Sequence, residues 1–154
     1  MLFLQLCLYC LLFFLLVKAA VRNDGRNCLY FYPKEYIDEA ATMAKGKRIM
    51  IPFCIFMLLA LLAILVFWNR VTDFRTAYGQ SVLFLVVMNW FDGLVIDGLW
   101  VRRSKIWRIA GMEGIPYAKP WNTILVRRSL GTVVYLVLAL AIAGIVVLLG
   151  RIFF

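Results

Sequence analysis

The chain has 154 residues, 65% of them hydrophobic and 16% charged. Soluble domains run at roughly 45–50% apolar, and here the excess is gathered into long runs, which marks a polytopic membrane protein and not a soluble core. The net charge is +9, but the basic residues fall between the apolar runs, where they act as topology signals and meet anionic lipid headgroups, so nucleic acid is excluded as a partner.

There is no His. Haem held by His, HExxH zinc sites and Ser-His-Asp catalysis go with it. No metal site and no cofactor are expected, and proton chemistry would fall to carboxylates, Tyr, Cys or Lys.

The first apolar run covers about 2–21 if Lys18 snorkels. No basic segment precedes it, so it reads as an anchor helix with its N-terminus outside, not as a cleaved signal. Cys7 and Cys10 form a C-x-x-C pair within it. Such a pair could carry redox chemistry, but apolar surroundings usually leave Cys inert.

A polar loop follows. Pro33 suits the first turn of a helix, and Tyr36, Ile37, Ala40, Met43 and Ala44 recur at helical spacing with charges opposite them. A short amphipathic helix is expected there, closed by Gly46 and lying on the membrane surface or the bundle. The second span is expected at 49–68, with Pro52 in its first turn, where a missing amide proton costs little. A short loop then makes spans two and three a hairpin.

The third span, 80–101, carries Asn89, Asp92 and Asp97 inside an apolar run. A carboxylate at the centre of a membrane helix costs about 2.5–3.5 kcal/mol on insertion scales, so it is tolerated only facing protein, water or a cation. At 100° per residue Asn89 and Asp92 share a face, whereas Asp97 lies about 140° from Asp92. One α-helical face therefore presents only one of the two acids squarely. Asp97 is within reach of a snorkelling Arg. Asp92 has no basic residue at its depth in any expected span, so it is read as protonated, hydrated or bound to an incoming cation. These three are the candidate proton or cation site.

The next loop holds Arg102, Arg103, Lys105, Arg108, Lys119, Arg127 and Arg128, interleaved with Trp107 and Trp121. Arg102, Arg103, Lys105, Arg108 and Trp107 are candidates for an anion or lipid headgroup, with Glu113 the loop's single acid. The fourth span is expected at 130–151, where Ala139 and Ala143 form a small-xxx-small pair.

The first and third connections carry seven Lys and Arg each, the second two and the C-terminus one. The positive-inside rule then places the long loops in the cytoplasm and both termini outside. No internal repeat is found. MNWFDGLVIDGLW (88–100), YFYPKE (30–35) and GMEGIPYAKPW (111–121) resemble stretches of a group of small four-span bacterial membrane proteins. The resemblance covers most of the chain and implies four spans in a bacterial inner membrane, but no activity. Nothing matches small multidrug exporters, fluoride channels or membrane oxidoreductases motif for motif.

The expected fold is all-α: one transmembrane domain over 1–154, four antiparallel helices, N-out and C-out, with membrane lipids and a second copy or a membrane subunit as partners. Three functions stay open. A small proton- or cation-coupled transporter or channel-like protein would use Asp92. An accessory or immunity-type protein would do no chemistry. An enzyme acting on a lipid phosphate ranks third.

Overall fold

A computed structural model describes residues 1–23, 39–107 and 118–154, with backbone alone for 23 and 39–45. Among the described residues every regular element is helical. Helix α1 is Leu2–Asn23, an apolar run with neither Gly nor Pro. Helix α2, Glu39–Ala63, winds on into a π-helical turn at Ile64–Trp68. Helix α3, Phe74–Phe91, continues as a nine-residue π-helix, Asp92–Trp100. A last turn α4, Val101–Arg103, and a 3-10 turn, Lys105–Trp107, complete that arm. Helix α5 is Trp121–Phe153.

Four helices are long and apolar enough to cross a membrane: Leu2–Arg22, Gly46–Trp68, Phe74–Arg103 and Trp121–Phe153. The chain is a multi-pass membrane protein on that ground. Three helices begin earlier than expected, the second among them. The third starts at Phe74 because Asp73 caps it, its Oδ1 accepting from the Thr76 N–H at 2.8 Å. The fourth starts at Trp121, directly after Pro120. Proline disfavours helix at the residue before it, so the chain turns helical only beyond it. No breaker stands between 121 and 130, so Arg127 and Arg128 lie on the helix and not in the loop. At 33 residues, α5 is about 50 Å long against roughly 30 Å of hydrocarbon, which leaves room for such charges.

The expected amphipathic helix falls partly on 24–38, outside the described residues. Its remainder, 39–46, belongs to α2, which runs through Gly46 unbroken. One glycine costs a helix only about 1 kcal/mol against Ala, too little to end it before an apolar run. Pro52 is consequently interior to α2 and not in a first turn.

Helix α3 is flanked by α1 and α5. Tyr9 meets Phe84 edge-on at 5.5 Å, and Phe14 meets Trp100 at 4.9 Å. Phe13 meets Phe53 of α2 at 5.3 Å. Along α5, Trp121 lies over Gly98, Arg128 over Gly93, and Gly150 against Val71 and Thr72, so α3 and α5 run antiparallel. Ala139 and Ala143 are fully buried within this core. The small-xxx-small pair is therefore used inside the chain and is not offered to a second copy.

At the end of the molecule where α2 meets α3, Gln5, Asn69 and Gln80 form an amide cluster. Gln5 and Asn69 exchange hydrogen bonds of 2.7 and 3.2 Å, and Asn69 Nδ2 also donates to Gln80 Oε1 at 2.7 Å. The turn beside it holds Arg70 at φ 51°, a left-handed conformation.

Candidate functional site

The polar centre of the molecule lies between α3 and α5. Small residues make it possible. At Gly93 an added Cβ would stand 2.6 Å from Arg128 Cγ, and at Gly131 3.1 Å from Asn89 Oδ1. The two helices thus approach closely enough for side chains on one to reach the backbone of the other.

Asn89 is buried and fully engaged. Its Nδ2 donates to the Arg128 carbonyl at 2.8 Å and to Thr132 Oγ1 at 3.2 Å, while Oδ1 accepts from Arg128 Nη1 at 3.5 Å. Thr132 Oγ1 donates back to the Arg128 carbonyl at 2.8 Å and accepts from Trp90 Nε1 at 3.2 Å. This mesh fixes the backbone from which Arg128 extends.

Arg128 then spreads its guanidinium between two acids. Nη1 lies 2.7 Å from Asp92 Oδ2 and Nη2 lies 2.7 Å from Asp97 Oδ2. Both are the short contacts of charge-assisted bonds. Lys119 Nζ stands 3.8 Å from the same Asp97 oxygen. The three side chains Asp92, Asp97 and Arg128 are 25%, 15% and 19% exposed, so the cluster is sheltered but not sealed.

Two expectations are corrected here. Asp92 does have a basic partner, because the fourth helix starts early enough to carry Arg128 to its depth. Asp92 and Asp97 also share a face. The 140° separation holds for an α-helix, but Asp92–Trp100 is π-helical, and its i→i+5 bonding stacks residues five apart. Asn89, Asp92 and Asp97 are brought together, the last two through Arg128.

The other candidates are dispersed. Arg102 donates to the Lys119 carbonyl and stacks over the Trp121 ring at 4.8 Å. Arg103 and Lys105 are exposed. Trp107 is buried and packs edge-on against Trp100 at 5.1 Å, so it is a core ring and not a headgroup anchor. Arg108 and Glu113 lie outside the described residues. Cys7 is exposed, Cys10 is buried, and neither is in a disulfide. Among the described residues no three His, Cys, Asp or Glu side chains come together as metal ligands. Asp92 and Asp97 hold a guanidinium between them instead.

Sequence reasoning missed Arg128 as their partner, Thr132, and the Gln5–Asn69–Gln80 cluster. The shared face of the two acids, unlike their partner, does leave a signal in the sequence, in a short repeat not recognised above. DGLVI at 92–96 is followed by DGLW, a repeat of period five that suits neither an α-helix nor a strand.

No protein-family model matches the chain, and no curated protein or solved structure is significantly similar to it. The functional reading therefore rests on the cluster itself.

Proposed function

We propose that this protein couples passage of a proton or small cation across the membrane to a charge exchange at Asp92 and Asp97. One observation carries the reading: two carboxylates within a membrane span share a single guanidinium. One Arg neutralises one carboxylate, so the trio keeps an excess negative charge. Lys119 approaches only Asp97, and at 3.8 Å. A proton or cation arriving at Asp92, the acid that Lys119 does not reach, offsets its charge and lets Arg128 pass wholly to Asp97; its departure restores the shared state. Intramembrane ionisable groups mark ion pathways and relays by default.

In this reading the end bearing Arg102 and Trp121 faces the cytoplasm and both termini face outward, by the distribution of Lys and Arg. The membrane is a bacterial inner membrane, as the resemblance implies. Four spans arranged as an antiparallel bundle enclose little volume, so a conducting path draws on a second copy or a membrane subunit.

Reconstitution into liposomes with a trapped pH dye tests this. The parent chain should dissipate an imposed pH gradient, and Asp92→Asn should abolish that flux with helical content unchanged. Undiminished flux in the variant removes the proposal. A second reading, an accessory protein without transport, is favoured by the closed bonding around Asn89, which would simply clip α5 onto α3; absence of flux in the parent chain supports it. A lipid-phosphate enzyme is less supported, since Arg102 is already occupied by Lys119 and Trp121.

A further inference from the structure

The π-helix Asp92–Trp100 reads DGLVIDGLW, a five-residue unit and its near copy. Asp92 matches Asp97, Gly93 matches Gly98 and Leu94 matches Leu99. Exposure follows the same period. Gly93 and Gly98 are buried, Leu94 and Leu99 are 42% and 45% exposed, and Ile96 and Val101 are buried. The Val101 N–H closes on the Ile96 carbonyl five residues back. Residues five apart stack in a π-helix and stand about 140° apart in an α-helix. Each matched pair therefore shares one environment only in the π register.

Helix α5 engages that register twice. The Arg128 stem covers Gly93 while the Trp121 ring covers Gly98. The Arg128 guanidinium takes both carboxylates at 2.7 Å. Rewound to an α-helix, the segment would carry Asp97 away from Asp92, and one guanidinium could no longer bridge them.

We propose that Asp92–Trp100 is a register switch: a π-helix encoded by a five-residue repeat, held by Arg128 between Asp92 and Asp97, which rewinds to an α-helix when one carboxylate loses its charge. Rewinding turns α4 and the Lys105–Trp107 turn about the helix axis. That motion pulls Arg102 from the Lys119 carbonyl and the Trp121 ring. The charged and titratable groups within electrostatic reach of the lock are Arg128 and Tyr135 from α5 and Lys119 ahead of it; Tyr9 of α1 and Cys54 of α2 are in turn within electrostatic reach of Tyr135. The switch stands on the geometry of the lock and does not require that an ion be moved.

Nitroxide labels on Leu94→Cys and Leu99→Cys, in a chain with Cys7, Cys10, Cys28 and Cys54 replaced by Ala, give a direct ruler. Both positions face outward, away from the lock. In the π register the labels stack and broaden each other's spectrum; in the α register they point apart. The parent at pH 7 in liposomes should show dipolar broadening. Asp97→Asn should lose it and Asp97→Glu should keep it. Acidifying the doubly labelled parent to protonate both carboxylates should lose it reversibly, which decides the matter even if Asp97→Asn fails to fold. Broadening that persists in folded Asp97→Asn and at acid pH overturns the switch, as does its absence in the parent at pH 7. A flux-dead protein that still switches would defeat the transport reading alone.

Discussion

Arg128 is the side chain on which the polar centre depends. Replacing it by Ala leaves two acids in a sheltered site with only Lys119 near one of them. Removing one partner of a buried pair typically costs about 3–5 kcal/mol. Arg128→Ala should therefore lower the thermal midpoint in detergent sharply, and adding Asp92→Asn and Asp97→Asn to it should recover much of the loss, because an uncharged trio has nothing to compensate. A recovery that fails would mean Arg128 acts through its stem against Gly93 and not through its charge. At the other end of α3, Asp73 is fully exposed, and the hydrogen bond from the Thr76 N–H holds its carboxyl below the usual carboxylate range. A folded-state pKa below the unfolded one adds stability that is present above about pH 3.9 and is lost as pH falls through the lower folded value. The difference in unfolding midpoint between the parent and Asp73→Ala should accordingly narrow on acidification below pH 4.

At the scale of the element, the glycines separate into contacts and bystanders. An added Cβ at Gly150 would meet the Val71 carbonyl at 2.6 Å, and that carbonyl is backbone that cannot step aside. Gly150→Ala should lower stability by about 1–3 kcal/mol, the usual range for overpacking. Gly79 and Gly144 face open space within helices. Ala there should be neutral or stabilising by about 0.5–1 kcal/mol, since glycine weakens a helix by that much. Thermal unfolding in one detergent compares all three. The same scale shows what the sequence concealed. Span boundaries drawn where charge begins put Arg127 and Arg128 in a loop, although a helix longer than the hydrocarbon is thick keeps such residues helical. An α-helical wheel likewise separated Asp92 from Asp97, because the wheel assumes the period that the DGLVIDGLW repeat violates.

For the whole molecule, apolar runs of span length made four membrane-crossing helices legible, since hydropathy and length alone decide that much. Asn89 and the two Asp residues were legible as the place to look, because polar groups in hydrocarbon need a reason. Their partner was not, since partnership between two helices depends on how far α5 extends and on the notches at Gly93 and Gly131, and neither follows from one helix read alone. The amide cluster of Gln5, Asn69 and Gln80 has a consequence for the molecule as a mechanical object. It contains no group that gains or loses a proton, so acidity that loosens the Arg128 end leaves this one tied. The stretch from Phe74 to Phe91 is then anchored at the amides and again at Asn89, and any travel falls to the segment beyond it and is largest at the tip that carries Arg102.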